Sequence, residues 1–266
     1  FIDNGPVVQL RNANGRISRL DDPDPVPRSA YSGPLIVLVN RYSASASEIF
    51  AAAIQDYERG VVVGQQTYGK GTVQNLYALD QYVRRNQDEL GQLTLTIGKY
   101  YRVTGESTQN RGVIPDIELP SYIDIDNTGE SSRDTALPWD KIKPSRYQKN
   151  QPIEDSINQL RELHAERRKT DPELIFLLKD IEESSSYRKQ TTVSLNLNKR
   201  ISEREAREER REIIDKIRIK ENNNDEAQKE NEDRDINLNE TVTIATDFVK
   251  LNNSDSKSNQ MAKKAE

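Results

Sequence analysis

A serine and a lysine 25 positions apart carry the chemistry that this chain can be expected to perform. The run Ser43-Ala44-Ser45-Ala46-Ser47-Glu48 opens an apolar helix, and Gly69-Lys70-Gly71-Thr72-Val73-Gln74 follows. A hydroxyl at a helix start sits beside unsatisfied backbone N–H groups and the positive end of the helix dipole, which favour an oxyanion formed there. The N–H of Ala46, directly after Ser45, is the natural donor. A serine hydroxyl is inert until a base removes its proton, and a lysine can do so only as a neutral amine, buried away from carboxylates. Lys70 meets the compositional half of that condition, because no Asp or Glu lies between Arg59 and Asp80. Its flanking glycines allow the backbone to bend and bring the amine close to a partner. These are the ingredients of a Ser-Lys hydrolase.

Each piece also has a plainer reading. Ser45-x-x-Glu48 ahead of an apolar run is a capping box, which stabilises a helix start without any catalysis. A lone Gly-Lys-Gly is most often an exposed loop. It is not a P-loop, since no strand–loop–helix continues after Gly64, Gly69 and Lys70, and Val73–Leu79 reads as a strand. Composition removes the competitors. There is no cysteine, hence no thiol nucleophile and no Cys metal site, and the one histidine, His164, lies 119 residues beyond Ser45. No metal or organic cofactor is implied.

Two residues compete as third member. Gln74, four positions after Lys70, falls on the same side of an extended segment and could orient the amine through a hydrogen bond. Asp56, 11 positions after Ser45, points in nearly the same direction on a helix but about 16 Å away along its axis, too far to touch the serine. An ion pair or helix-end role suits Asp56 better, and Gln74 is preferred.

The elements that must position these residues follow from patterning. Val7–Leu10 and Ile17 flank Asn14-Gly15 as a hairpin. Leu35–Val39 is a continuous apolar run, the pattern of a strand buried on both faces. Ser45–Tyr57 is an Ala-rich helix, and Val61–Gly64 is a second buried strand, so strand, helix and strand form a βαβ unit. Val73–Leu79 and Leu93–Val103 read as further strands, the latter half-buried by its alternation. Residues 121–150 form an irregular connector, with Leu137-Pro138-Trp139 as a docking point. Helices are expected over Gln151–Arg168, Pro172–Glu183 and Ser202–Ile219, a linker over Asn222–Glu232, and a short helix over Thr241–Leu251.

Charge divides the chain. Residues 1–120 hold 25 charged side chains and residues 121–266 hold 58, so the first part can bury a core and the second reads as exposed helices. The net charge of −5 arises from nearly balanced signs and gives no reason to expect nucleic acid as a partner. No stretch approaches a membrane span, and the absence of cysteine fits an oxidising compartment.

Asn40-Arg41-Tyr42-Ser43 through Ala53, then Gly69-Lys70-Gly71-Thr72-Val73-Gln74, closely resembles the C-terminal processing peptidases of serine peptidase family S41. Tyr101 to Gln109, Arg111 to Asp116 and the charged helical extension with Leu137-Pro138-Trp139-Asp140 are similar to the tail-specific protease branch found in the bacterial periplasm. The resemblance spans nearly the whole chain. It implies an α/β fold: a partial crotonase-like (ClpP/crotonase) core over 1–120, the connector, and a mainly α-helical extension over 151–266. It implies Ser45 as nucleophile with Lys70 as general base. Descriptions of the family differ on the third residue, and Asp56 and Gln74 match the two positions.

The implied substrates are periplasmic proteins with unstructured apolar C-termini, and an adaptor lipoprotein is an implied partner, with attachment to the membrane peripheral at most. Relative to the family the chain corresponds to the C-terminal part, ahead of which a tail-binding PDZ domain and a glycine-rich oxyanion strand are expected. The isolated chain is accordingly expected to show little or no activity. The rival readings are a binding scaffold that engages a partner through the helical extension, and an acyl-CoA enzyme on the same βαβ core. The latter has no use for a lysine between glycines.

Overall fold

The computed structural model describes residues 1–26, 28–82, 90–206, 208–209 and 235–265, with side chains as far as residue 253 in the last helix. The chain divides into two compact units, one of residues 1–118 and 123–157, the other of residues 119–122 and 158–266.

The first unit holds two sheets. In the larger, β1 (Pro6–Asn12), β2 (Ile17–Asp21), β5 (Thr72–Ala78) and β6 (Gln92–Tyr101) lie in the order β2-β1-β6-β5, all antiparallel. The hairpin turns at Asn14-Gly15, where Gly15 adopts φ 83° and the Asn14 side chain accepts from the Arg16 N–H at 3.0 Å. In the smaller sheet β3 (Ile36–Val39), β4 (Val61–Gly64) and β7 (Ile117–Glu118) are parallel in that order. Helix α1 (Ala46–Asp56) connects β3 to β4, which is the expected βαβ crossover. Its small residues Ala51 and Ala52 pack on Val39 and Val62 with Val113, all buried. Alanines there bring the helix backbone close to the sheet.

Two strands are less covered than their patterns suggest. β3 is an outer strand. Val37 and Val39 face α1, so alternation turns Leu38 to the opposite face, where it is 41% exposed. On β6, Leu93 and Leu95 are each 49% exposed, because that half pairs only with the edge strand β5. By contrast, Val61, Val62 and Val63 of the central strand β4 are wholly buried.

The irregular connector docks through Trp139 and Asp140. The Trp139 indole N–H donates to the Ser107 carbonyl at 2.8 Å, with the Arg111 guanidinium 3.7 Å from the ring centre. Asp140 accepts from Lys99, from Arg11 at 2.5 Å and from the Tyr101 hydroxyl at 3.1 Å. Leu137 itself is exposed, and only its carbonyl is engaged, by the Asn110 side chain.

The helices are α2 (Glu154–Thr170), α3 (Pro172–Arg188), α4, seen at 197–206, and α5 (Ile236–Ala265). Asp171 caps α3, accepting from the Leu174 N–H at 3.0 Å with Pro172 at the first helical position. Of the expected helix Ser202–Ile219, residues 202–206 and 208–209 are helical and the rest lies outside the described residues, as does the whole linker Asn222–Glu232. The last helix starts earlier and runs further than Thr241–Leu251. It begins where Asp235 accepts from the Leu238 N–H, and its threonine hydroxyls at 241, 243 and 246 turn back onto carbonyls four residues earlier.

In the second unit the charged surface conceals a buried polar knot. His164 Nδ1 lies 2.7 Å from Glu240, whose carboxylate also accepts from Arg167, and Arg167 reaches Asp247 at 2.7 Å. Leu160, Leu174, Leu177, Ile244 and Phe248 are buried in the same unit. Among the described residues no helix is long and apolar enough to cross a membrane.

Candidate active site

The turn from β3 into α1 is held in an unusual shape. Ser45 has φ 59° and ψ −113°, a conformation that costs a residue with a Cβ about 1–3 kcal/mol. The turn before it is tied by its own side chains: Ser43 Oγ accepts from the Asn40 N–H at 3.1 Å, and Asn40 Oδ1 accepts from the Tyr42 N–H at 2.9 Å. Arg41, almost wholly buried, donates to the carbonyls of Thr67, Ile125 and Thr128 and so anchors the turn. Ser45 is half-buried and caps α1, and its carbonyl accepts from the N–H groups of Glu48 and Ile49. Ala46 N–H stands at the first helical position, where the helix itself supplies no acceptor.

Glu48 closes the capping box through its Oε2, which accepts from the Ser45 N–H at 2.8 Å. The same carboxylate reaches a different loop. Oε1 accepts from the Thr67 hydroxyl and the Gly69 N–H, each at 2.6 Å, and Oε2 accepts from the Lys70 N–H at 3.0 Å. Glu48 is completely buried, and burial pushes its carboxyl above the ordinary range, while these four donors pull towards the ionised form. The capping box announces the contact with Ser45. Nothing local announces the others, so the expectation that carboxylates stay away from Lys70 fails for its backbone.

The Gly69-Lys70-Gly71 backbone is fully engaged. Besides the two bonds to Glu48, Gly71 N–H donates to Gln109 Oε1 at 2.9 Å, and Gly69 O accepts from the Asn110 N–H at 2.8 Å. Gly71 O accepts from the Tyr100 N–H at 2.9 Å and Lys70 O from the Tyr100 hydroxyl. The glycines permit this close approach, and Gly69 in addition takes a positive φ. A Cβ on Gly69, which has φ 90°, would lie 2.9 Å from the Asn110 backbone, and one on Gly71 would lie 2.7 Å from the Gln109 nitrogen.

With its backbone clamped, Lys70 extends a half-buried side chain whose Nζ donates to Gln74 Oε1 at 2.9 Å. Gln74 is placed by β5, just where the pairing with β6 passes over Ile97, moving from Val73 opposite Gly98 to Gln74 opposite Thr96. Asp56 sits at the far end of α1, nearly buried, and is held by Arg102 at 2.6 Å through Nη2 and at 3.1 Å through Nε. Burial pushes the Asp56 carboxyl up against the opposing pull of Arg102. The structure therefore joins Lys70 to Gln74 and joins Asp56 to Arg102. Sequence reasoning missed Tyr100, Gln109 and Arg41, because each acts across a long loop. Among the described residues no group of three His, Cys, Asp or Glu side chains is placed to hold a metal ion.

Residues 1–119 match the profile of peptidase family S41, and residues 123–250 match the C-terminal domain of tail-specific protease. The tail-specific protease of Haemophilus influenzae is 42% identical over 98% of this chain, which spans 38% of that relative's length. A carboxy-terminal-processing protease of Bartonella bacilliformis is 46% identical over 32% of the chain and 18% of its own length. Among solved structures, a photosystem II D1 C-terminal processing protease shares 31% identity over 47% of this chain and 30% of its own, with a TM-score of 0.38. The chain thus spans well under half the length of the relatives it matches. Its two consecutive matches cover nearly all of its residues, and the chain belongs to peptidase family S41, in the branch that carries the tail-specific protease C-terminal domain.

Proposed function

We propose that the full-length protein is a serine-type endopeptidase in which Ser45 attacks the peptide carbonyl and Lys70 is the general base. The observation that carries this reading is the meeting of the Ser45 and Lys70 N–H groups on one oxygen, Glu48 Oε2, which sets the two loops side by side. A neutral Lys70 amine takes the Ser45 hydroxyl proton as Oγ bonds to the carbonyl carbon, and returns it to the amine that leaves. Water then cleaves the acyl-enzyme: Lys70 takes a proton from the water as it attacks the ester carbonyl and hands it to Ser45 Oγ as the Oγ–carbon bond breaks. Ala46 N–H faces the developing oxyanion. Gln74 orients the lysine amine, and Asp56 serves as an ion-pair partner of Arg102 at the other end of the helix.

In this reading residues 1–120 are the C-terminal half of the protease core, residues 121–150 a connector and residues 151–266 a charged helical domain. The substrates are periplasmic proteins with unstructured apolar C-termini, and an adaptor lipoprotein is a partner. The test is turnover of a protein bearing an apolar C-terminal tail by the full-length enzyme. Ser45→Ala and Lys70→Ala should each abolish cleavage while remaining folded. Unchanged turnover in either would end the proposal.

A further inference from the structure

Tyr100 stands where the two halves of the site meet. Its ring is buried in the first unit, and its strand β6 is flanked by β1 and β5, with Leu10 directly opposite Tyr100 on β1. The Tyr100 N–H donates to Gly71 O at 2.9 Å, which ties its backbone to the lysine loop. Three of the oxygens that the hydroxyl reaches are the carbonyl of Lys70, the carbonyl of Ser45 at 3.1 Å and Glu48 Oε2 at 3.5 Å.

All three are acceptors, so the phenol can satisfy them only by donating, and its single proton is shared between the two carbonyls. Burial, reinforced by the Glu48 charge, keeps the phenol protonated far above its ordinary range, so the donor persists wherever the protein is folded. Without that proton, two partly negative carbonyl oxygens would face each other in a buried space with nothing between them. Glu48 holds the N–H side of both residues and Tyr100 holds the C=O side. Ser45 and Lys70 are thereby each pinned at the N–H before the Cα and at the C=O after it.

We propose that Tyr100 is a positioning residue of the Ser45–Lys70 pair, its hydroxyl fixing the separation of the two backbones from which the reacting side chains extend. This rests on the reading of Ser45 as nucleophile and Lys70 as base. Displacing reacting groups by about 1 Å can cost on the order of 100-fold in rate, and the loss should fall on turnover rather than on substrate binding.

The experiment compares Tyr100→Phe with Tyr101→Phe in the full-length protein, at a temperature where all variants are folded, with Ser45→Ala alongside. Tyr101 is the neighbouring residue on β6, and its hydroxyl binds Asp140, away from the pair. Tyr100→Phe should lower kcat by about 10- to 100-fold with KM within about twofold, while Tyr101→Phe keeps kcat. A kcat for Tyr100→Phe equal to that of Tyr101→Phe overturns the proposal and leaves the Ser45–Lys70 reading intact. A fall in Tyr100→Phe accounted for by KM, or a variant that does not fold, assigns the hydroxyl to binding or to the fold and also overturns it. Turnover retained in Ser45→Ala removes the reading itself, and the role of Tyr100 with it.

Discussion

Glu48 belongs to helix α1, yet its Oε2 accepts from the backbone N–H of Lys70, 22 positions away, at 3.0 Å. One buried carboxylate thereby fastens the lysine loop to the helix that Ser45 caps. A residue read locally as half of a capping box is also the tie between the two reacting loops.

Glu48→Gln tests that tie. The amide keeps the size but turns an N–H₂ edge towards backbone N–H donors, so at least one of the three backbone bonds is lost together with the charge that strengthened the others. Unfolding free energy should fall by about 3 kcal/mol, in the range for breaking buried charge-assisted bonds, and kcat should drop by about 100-fold. Denaturant melts and steady-state kinetics read the two effects separately. A variant with unaltered kcat would show that the tie does not matter for the chemistry.

The backbone of Ser45 makes a second prediction. At φ 59° a residue without Cβ is relieved of strain, so Ser45→Gly should be more stable than Ser45→Ala by about 1 kcal/mol, despite the usual entropic penalty of glycine. Both should be inactive. Equal denaturation midpoints would mean that the turn relaxes in the alanine variant.

Gln74 and Asp56 separate by which property they move. Gln74→Ala leaves an exposed strand position and should lower kcat by about 10-fold with the melting temperature unchanged. Asp56→Asn weakens the buried pair with Arg102 and should lower stability by about 3 kcal/mol while kcat holds. Kinetics and thermal melts on the two variants decide; the opposite pattern would transfer the third role to Asp56.

The second unit should be acid-sensitive. Burial alone would raise the Glu240 carboxyl, but hydrogen bonds from His164 and Arg167 outweigh it and hold the group below its ordinary 4.5. A depressed carboxyl binds its proton more weakly folded than unfolded, so its contribution is present above about pH 4.5 and is lost as pH falls through the lower folded value. Melting temperatures followed from pH 6 downward should decline below about 4.5, and Glu240→Gln should flatten that decline. An identical slope in the variant would show that other carboxylates account for it.

Much of the site was legible because its first layer is local. A serine before an Ala-rich run with Glu three positions on specifies a capped helix start through local side-chain-to-backbone bonds, and the spacing from Lys70 to Gln74 specifies a shared side on extended chain. The pattern failed where side chains act at a distance. The charge-rich second half conceals His164 and Glu240, separated by 76 positions and buried together. Asp56, in line with Ser45 on a helical wheel, turns out to be committed to Arg102, which arrives from beyond the end of β6.

The amino-acid order by itself determined the βαβ unit, the helix that Ser45 caps and the residue types available for chemistry, because helix caps, alternation and apolar runs depend on neighbours within a few positions. Only the tertiary structure decided that Glu48 and Tyr100 clamp the Ser45 and Lys70 backbones from opposite sides and that the glycines beside Lys70 exist to lie against Gln109 and Asn110. Those contacts span up to 55 positions. They are set by strand register and by the passage of α1 between β3 and β4, quantities that no local propensity encodes.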